Sequence, residues 1–203
     1  IFAIDRAGVV GADGETHQGL YDFAYMKPIP GMTIMAPSDF SEAAKMLDMA
    51  QSLEGPVAIR YPRGGEKKAL PQSDIELGAG RVLKEGNDAV IFAIGKMVSI
   101  ALDAAEILDK NGISTAVCDM RFLKPFDSEL VKSMKQKIVV SAEDACIVGG
   151  LCDEVRKYSD REIIAKAFPD EIITHGSDEI IFGKYRMDAK SIAEDVLKFE
   201  GQA

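Results

Sequence analysis

Apolar and polar positions alternate along this chain in blocks that read as strands and helices in turn. Residues 1–5 are a short apolar run that predicts a buried strand, and the Gly- and Asp-rich stretch 6–14 predicts a loop after it. A helix is expected from near His17 to just before Pro28, and residues 32–36 form a second apolar run closed by Pro37. Asp39 followed three positions later by Glu42 has capping-box spacing. Phe40, Ala43, Ala44 and Leu47 then recur at helical spacing and predict an amphipathic helix. Residues 57–61 read as a third strand that stops at Pro62. Strand, helix and strand in succession predict a parallel α/β unit.

Periodicity lapses over residues 64–78, which hold Gly-Gly, Lys-Lys and Pro71, and this stretch reads as an inter-domain linker. Beyond it, strands are expected at 80–83, 88–95, 114–118, 137–141 and 163–167. The nearly unbroken apolar run at 88–95 suits a strand covered on both faces. Val98, Ala101, Leu102, Ala105 and Leu108 make one helical stripe, closed by Asn111-Gly112. Further helices are expected to begin near Asp127, to open at Gly149-Gly150 carrying Leu151, Val155 and Tyr158, and to span 188–199. The fold class is α/β: a partial parallel-sheet unit at 1–65, a linker at 66–79 and a compact α/β domain at 80–203. Three strands with two helices bury little surface for independent stability, and the first residue is not Met, so a longer chain with sequence before Ile1 is expected.

Composition narrows the function classes. With 47% apolar and 28% charged residues the chain is globular, not disordered. No apolar run reaches the roughly 18 residues of a membrane span, and residues 1–5 are expected to be a strand and not a signal peptide. A net charge of −9 repels nucleic acid, although a local Arg cluster would still admit a phosphorylated small molecule. Cys118, Cys146 and Cys152 fit neither a disulfide framework nor a zinc spacing and read as buried thiols of a cytoplasmic protein.

The densest chemistry lies in residues 5–19, where Gly8, Gly11, Gly14 and Gly19 allow close approach of the backbone to a ligand. Arg6, Asp13 and His17 sit in this loop, beyond a strand end, where open α/β sheets bind ligands. Arg60 and Arg63 lie at and after another strand end. Arg-bearing loops after neighbouring parallel strands can converge on one phosphate, whose oxygens match the guanidinium fork. On spacing alone the first loop is equally an ordinary turn, and the arginines equally solvated or carboxylate-paired. Gly149-Gly150 could open an anion site, but Glu143-Asp144 ahead of it favours a packing role, and His175 reads as a turn histidine.

Three segments carry a resemblance: DRAGVVGADGETHQG at 5–19, PIPGMTIMAPSD at 28–39 and IRYPRG at 59–64. Together they resemble the 1-deoxy-D-xylulose-5-phosphate synthase family, thiamine-diphosphate enzymes of the transketolase superfamily. SAEDACIVGG at 141–150 and ITHGSDE at 173–179 extend the likeness. The resemblance implies the last part of a pyrimidine-binding domain at 1–65 and a transketolase C-terminal domain at 80–203. It implies condensation of pyruvate with D-glyceraldehyde 3-phosphate and loss of CO₂, supplying isoprenoid, thiamine and pyridoxal phosphate synthesis. It also implies thiamine diphosphate and Mg²⁺ in the whole enzyme, and a homodimer. Arg6 and Arg63 match residues that hold the aldehyde's phosphate, and Asp13 and His17 match residues that contact substrate beside the thiazolium. In that role His17 donates a proton to the aldehyde oxygen, and Asp13 orients His17 or a substrate hydroxyl. The family's activating glutamate would precede Ile1, and its GDG metal motif does not occur in the sequence. The chain alone is therefore expected neither to hold the cofactor tightly nor to turn over, and to need the missing N-terminal part as partner. Two other readings stay open: a separately encoded transketolase-type or 2-oxoacid dehydrogenase β-type subunit, and a non-catalytic dimerisation module. Dehydrogenase subunits lack the pairing of THQG (16–19) with YPRG (61–64) seen here.

Overall fold

A computed structural model of the chain describes residues 1–66 and 69–201. Its first elements are β1 (Phe2–Ile4), α1 (Asp22–Met26), β2 (Thr33–Met35), α2 (Phe40–Ser52) and β3 (Val57–Arg60). Next come β4 (Arg81–Lys84), β5 (Ala89–Ala93), α3 (Met97–Lys110), β6 (Thr115–Asp119), β7 (Phe122–Lys124) and α4 (Ser128–Ser133). The chain continues through β8 (Ile138–Cys146), α5 (Leu151–Arg156), β9 (Ile163–Phe168), α6 (Asp178–Lys184) and α7 (Ala189–Glu200).

The strands form two sheets, ordered β1-β3-β2-β7 and β4-β6-β5-β8-β9. Pairing is parallel except for the edge strands β7 on β2 and β4 on β6. In β5 the two-residue period divides the side chains between two cores: Ala89, Ile91 and Ala93 join one, Val90 and Phe92 the other. This explains the unbroken apolar run, since neither face of β5 meets water. Helix α3 buries Val98, Ala101, Ala105 and Leu108 as the stripe predicts, and Gly112 at φ +84° follows its end. Carboxylates cap α2, α4 and α7: Asp39 accepts from Glu42 N, Asp127 from Leu130 N and Asp188 from Ser191 N. All three cysteines are free and buried, and burial pushes the Cys118 thiol up to about 12.

Three expectations need correction, and two elements, β7 and α6, have no counterpart among them. The strand at 1–5 is not buried: β1 is an edge strand paired only with β3 among the described residues, and Ile1 and Phe2 are 60% and 50% exposed. No helix starts at His17. Gly8 and Gly19 exchange two backbone hydrogen bonds of 2.7 and 2.8 Å, which close the loop and delay α1 to Asp22. On α2 the buried positions are Glu42, Met46 and Ala50, while Phe40 and Leu47 are 60% and 49% exposed. The helix is rolled because Glu42 is drawn inward: its Oε1 accepts from Arg121 Nε at 2.7 Å and lies 2.9 Å from Arg81 Nη2. Finally, β7 went unforeseen. Arg121, at φ 55°, turns the chain out of the second sheet and into the first.

The two halves are consequently welded. Phe23, Ile34 and Ala58 share one apolar cluster with Phe92, Met120 and Leu123. Beside it, Ser38 Oγ donates to Asp119 Oδ2 at 2.8 Å and Arg81 Nη2 lies 3.1 Å from the same oxygen. Burial, reinforced by Glu42, pushes the Asp119 carboxyl up to about 7. The described part of the expected linker has no helix or strand, yet it is strapped down: Leu70 is buried and its N–H donates to Asp39 Oδ2 at 3.1 Å.

Candidate functional site

The site gathers at the C-terminal ends of β1 and β3, which pair in parallel with Ile4 opposite Arg60. Arg6 follows β1 directly and adopts φ 58°, a left-handed conformation uncommon for a residue with a side chain. Its amide donates to Asp5 Oδ1 at 2.7 Å. Arg63 follows β3. The two guanidinium groups meet on one carboxylate: Arg6 Nε donates to Asp13 Oδ2 at 3.2 Å and Arg63 Nη1 to Asp13 Oδ1. Hydrogen bonds from Arg63 and then Arg6 hold the Asp13 carboxyl below the usual carboxylate range. Asp13 ends one 3₁₀ turn (Gly11–Asp13) and His17 ends the next (Glu15–His17). Asp13 and His17 do not hydrogen-bond to each other. His17 Nδ1 lies 3.1 Å from Thr16 Oγ1, and Asp13 is engaged by the arginines.

Side chains from the second half of the sequence hold this loop by its backbone. Val9 N donates to Asp144 Oδ1 and Gly11 N to Asp178 Oδ1, each at 3.0 Å, while Val10 N donates to Gln18 Oε1 at 2.7 Å. Asp144 Oδ2 also lies 2.7 Å from Lys96 Nζ. A Cβ at Gly8 would come within 1.8 Å of Asp144 Oδ2, and φ there is +79°, so two conditions demand glycine.

Arg60, weighed beside Arg63 in the sequence, is structural. Its Nε and Nη2 donate to the two oxygens of Asp22 at 2.7 and 3.1 Å, and Nη2 also to Gly19 O and Asp144 O. The guanidinium carbon lies 4.1 Å from the Phe23 ring centre, and the residue is buried. The helix start at Gly149-Gly150 packs as expected. A Cβ on Gly149 would meet Ala24 at 2.9 Å, and the anion at the N-terminus of α5 is the chain's own Glu143, accepting from Leu151 N and Cys152 N at 2.6 and 3.0 Å.

Burial pushes the Glu143 carboxyl from 4.5 up to about 7, against the pull of those two N–H groups and Arg60. A carboxyl raised on folding contributes stability fully below its unfolded value, and loses it as pH climbs through the folded one. Glu143→Gln removes that titration, so the variant's deficit in melting temperature is expected to be larger at pH 5 than at pH 8. Scanning calorimetry at both values checks this, and a deficit that grows toward pH 8 contradicts it.

Two cavities border the loop. One of about 740 Å³ is lined by Tyr61, Arg63, Lys96, Ile100, Phe182 and Asp188, among others, and so lies between the strand-end loops and helices α3, α6 and α7. The other, of about 340 Å³, is formed by 12–16 and His175. His175, a turn histidine by sequence, lines this cavity together with Asp13, and its sequence signal is its place in ITHGSDE. Among the described residues, no group of three or more His, Cys, Asp or Glu side chains is arranged to hold a metal ion.

Comparison with known proteins agrees with the motifs. Residues 1–66 match the transketolase pyrimidine-binding domain and residues 78–192 the transketolase C-terminal domain. A 1-deoxy-D-xylulose-5-phosphate synthase of Caldanaerobacter subterraneus subsp. tengcongensis is 44% identical over 98% of this chain, and one of Chlorobium luteolum 42% over 98%. The chain spans about a third (33%) of the length of these curated relatives. Among solved structures, one described as a split gene transketolase, inactive beta4 tetramer, matches with a TM-score of 0.85 at 31% identity, over 97% of this chain and 65% of that one. Transketolase from Campylobacter jejuni shares the fold, with a TM-score of 0.81 at 23% identity, over 97% of this chain and 31% of its own.

Proposed function

The chain belongs to the transketolase family, and on that premise we propose that it is the C-terminal third of a 1-deoxy-D-xylulose-5-phosphate synthase. The whole enzyme would condense pyruvate with D-glyceraldehyde 3-phosphate and release CO₂, as a cytoplasmic homodimer. The proposed division is the pyrimidine-binding part at 1–65, the linker at 66–79 and the C-terminal domain at 80–203. The observation that carries the reading is the convergence of Arg6 and Arg63 on one anionic group beyond paired parallel strands. A phosphate monoester offers each guanidinium its own oxygens. His17, on the same loop, would give its proton to the aldehyde oxygen as the new carbon bond forms.

Thiamine diphosphate, where the family uses it, serves as the electron sink. The described residues offer no donor cluster for Mg²⁺, so this chain does not fit that group by itself. We propose that its diphosphate and metal are held by sequence outside these residues. Calorimetry with the 203-residue chain is expected to show no micromolar affinity for thiamine diphosphate; such affinity would contradict this division of labour.

Kinetics of the complete enzyme test the assignment. Arg63→Ala is expected to raise the KM for D-glyceraldehyde 3-phosphate by roughly 10–100-fold, the loss of one charge-assisted hydrogen bond, and to leave that for pyruvate nearly unchanged. Equal effects on both substrates would remove the phosphate role. A second reading, a separately encoded subunit, is favoured by the likeness to the split gene transketolase. Adding the N-terminal part as a separate chain distinguishes them from an inert module: restored activity supports a split enzyme, and a stable inactive dimer supports the module.

A further inference from the structure

Asp13 fills the anion site from within. Its two oxygens are used separately, one by each arginine, so the carboxylate bridges the pair as a bound anion would. Among the described residues, Asp5 pairs with Arg6 at 3.3 Å and forms no ion pair with Arg63. The turn beneath Asp13 is anchored, because Asp13 N donates to Val10 O at 3.0 Å and Gly176 N to Gly11 O at 3.1 Å. The clamp itself is accessible: the side chains of Arg6 and Arg63 are 43% and 54% exposed and that of Asp13 is 22% exposed. Exposed ion pairs are weak, so this one can open.

An anion from solution must outcompete a tethered carboxylate, whose effective concentration is on the order of millimolar or above. A monocarboxylate brings the same charge and the same two oxygens as Asp13 and has no advantage to offset the tether. A phosphate monoester brings a charge of about −1.5 to −2 and three acceptor oxygens, enough to satisfy both guanidinium groups better than Asp13 does. Resting on the phosphate reading above, we propose that Asp13 determines specificity at this site: it keeps monocarboxylates such as pyruvate off the Arg6–Arg63 pair and yields to phosphate monoesters. Where one substrate is a 2-oxo acid and the other a sugar phosphate, such a guard stops the first from occupying the place of the second.

Calorimetric titration of the 203-residue chain with glycerol 3-phosphate, with and without pyruvate at fixed ionic strength, tests this. Wild type is expected to bind the phosphate ester with no competition from pyruvate. In D13N, with circular dichroism unchanged, the ester is expected to bind about tenfold tighter, the release of two weak pairs, and pyruvate is expected to compete. D13A must behave alike, since neither side chain carries charge. Pyruvate excluded from D13N and D13A as it is from wild type, or competing equally in all three, overturns the inference. R63A separates the two layers. If R63A loses the ester while D13N stays indifferent to pyruvate, the phosphate site stands and the guard does not. If R63A binds like wild type, or no form binds the ester, the phosphate site itself falls.

Discussion

Arg60→Ala is expected to lower stability by about 3–5 kcal/mol, the usual cost of breaking a buried ion pair from one side. Arg60 and Asp22 are both 4% exposed, so removing the guanidinium strands a carboxylate where water cannot reach it. It also takes the donor from Gly19 O and Asp144 O and the cation from the face of Phe23. For a chain of this size the melting temperature should fall by roughly 6–20 °C. Thermal unfolding followed by circular dichroism measures it. The same contacts tie α1, the Gly8–Gly19 bridge and β8 together, so hydrogen exchange in the 6–19 loop should quicken in parallel. Replacing both partners, as in Arg60→Met with Asp22→Leu, should recover much of the loss, because no charge is then left buried. A single variant that melts within 2 °C of wild type, on the ~2–4 °C per kcal/mol scale, would mean the pair contributes little.

The second large effect is expected at His17. In the complete enzyme, His17→Ala should reduce kcat by about 100-fold or more, the usual range for loss of a positioned proton donor, with KM changed only a few-fold. The geometry favours this split. Nδ1 is within hydrogen-bond distance of Thr16 Oγ1, and among the described residues Nε2 has no hydrogen-bond partner, so one ring nitrogen is steadied and the other faces outward. The side chain sits on an exposed 3₁₀ turn and buries no partner, so its removal should leave stability near wild type. Steady-state kinetics with both substrates decides it. A rise in KM with kcat intact would make His17 a binding residue instead.

Much of this was legible along the chain because its physical cause is local. The buried run at 88–95, the α3 stripe and its Gly112 stop, and the capping carboxylates Asp39 and Asp188 depend on neighbours within a few residues. So does the placement of Arg6 and Arg63 just beyond strand ends. The rolled face of α2 was not legible, because Glu42 is turned inward by arginines 39 and 79 positions away. Neither was the distinction between Arg60 and Arg63, three residues apart and identical in type. Arg60, the last residue of β3, pairs with Asp22 and lies over Phe23, whereas Arg63, in the loop beyond Pro62, pairs with Asp13 at the cleft.

By itself, then, the sequence determined the α/β alternation, the starts of α2, α4 and α7, the end of α3 and the loops that carry the charged groups, since these follow from side-chain period and turn chemistry over short spans. Only the tertiary structure decided that β7 completes the first sheet, that Asp144 and Asp178 grip the 8–11 backbone, and that Asp13 sits between the two guanidinium groups. Each of those contacts joins groups that meet only once the two sheets share a core, and no periodicity along a chain encodes a partner that distant.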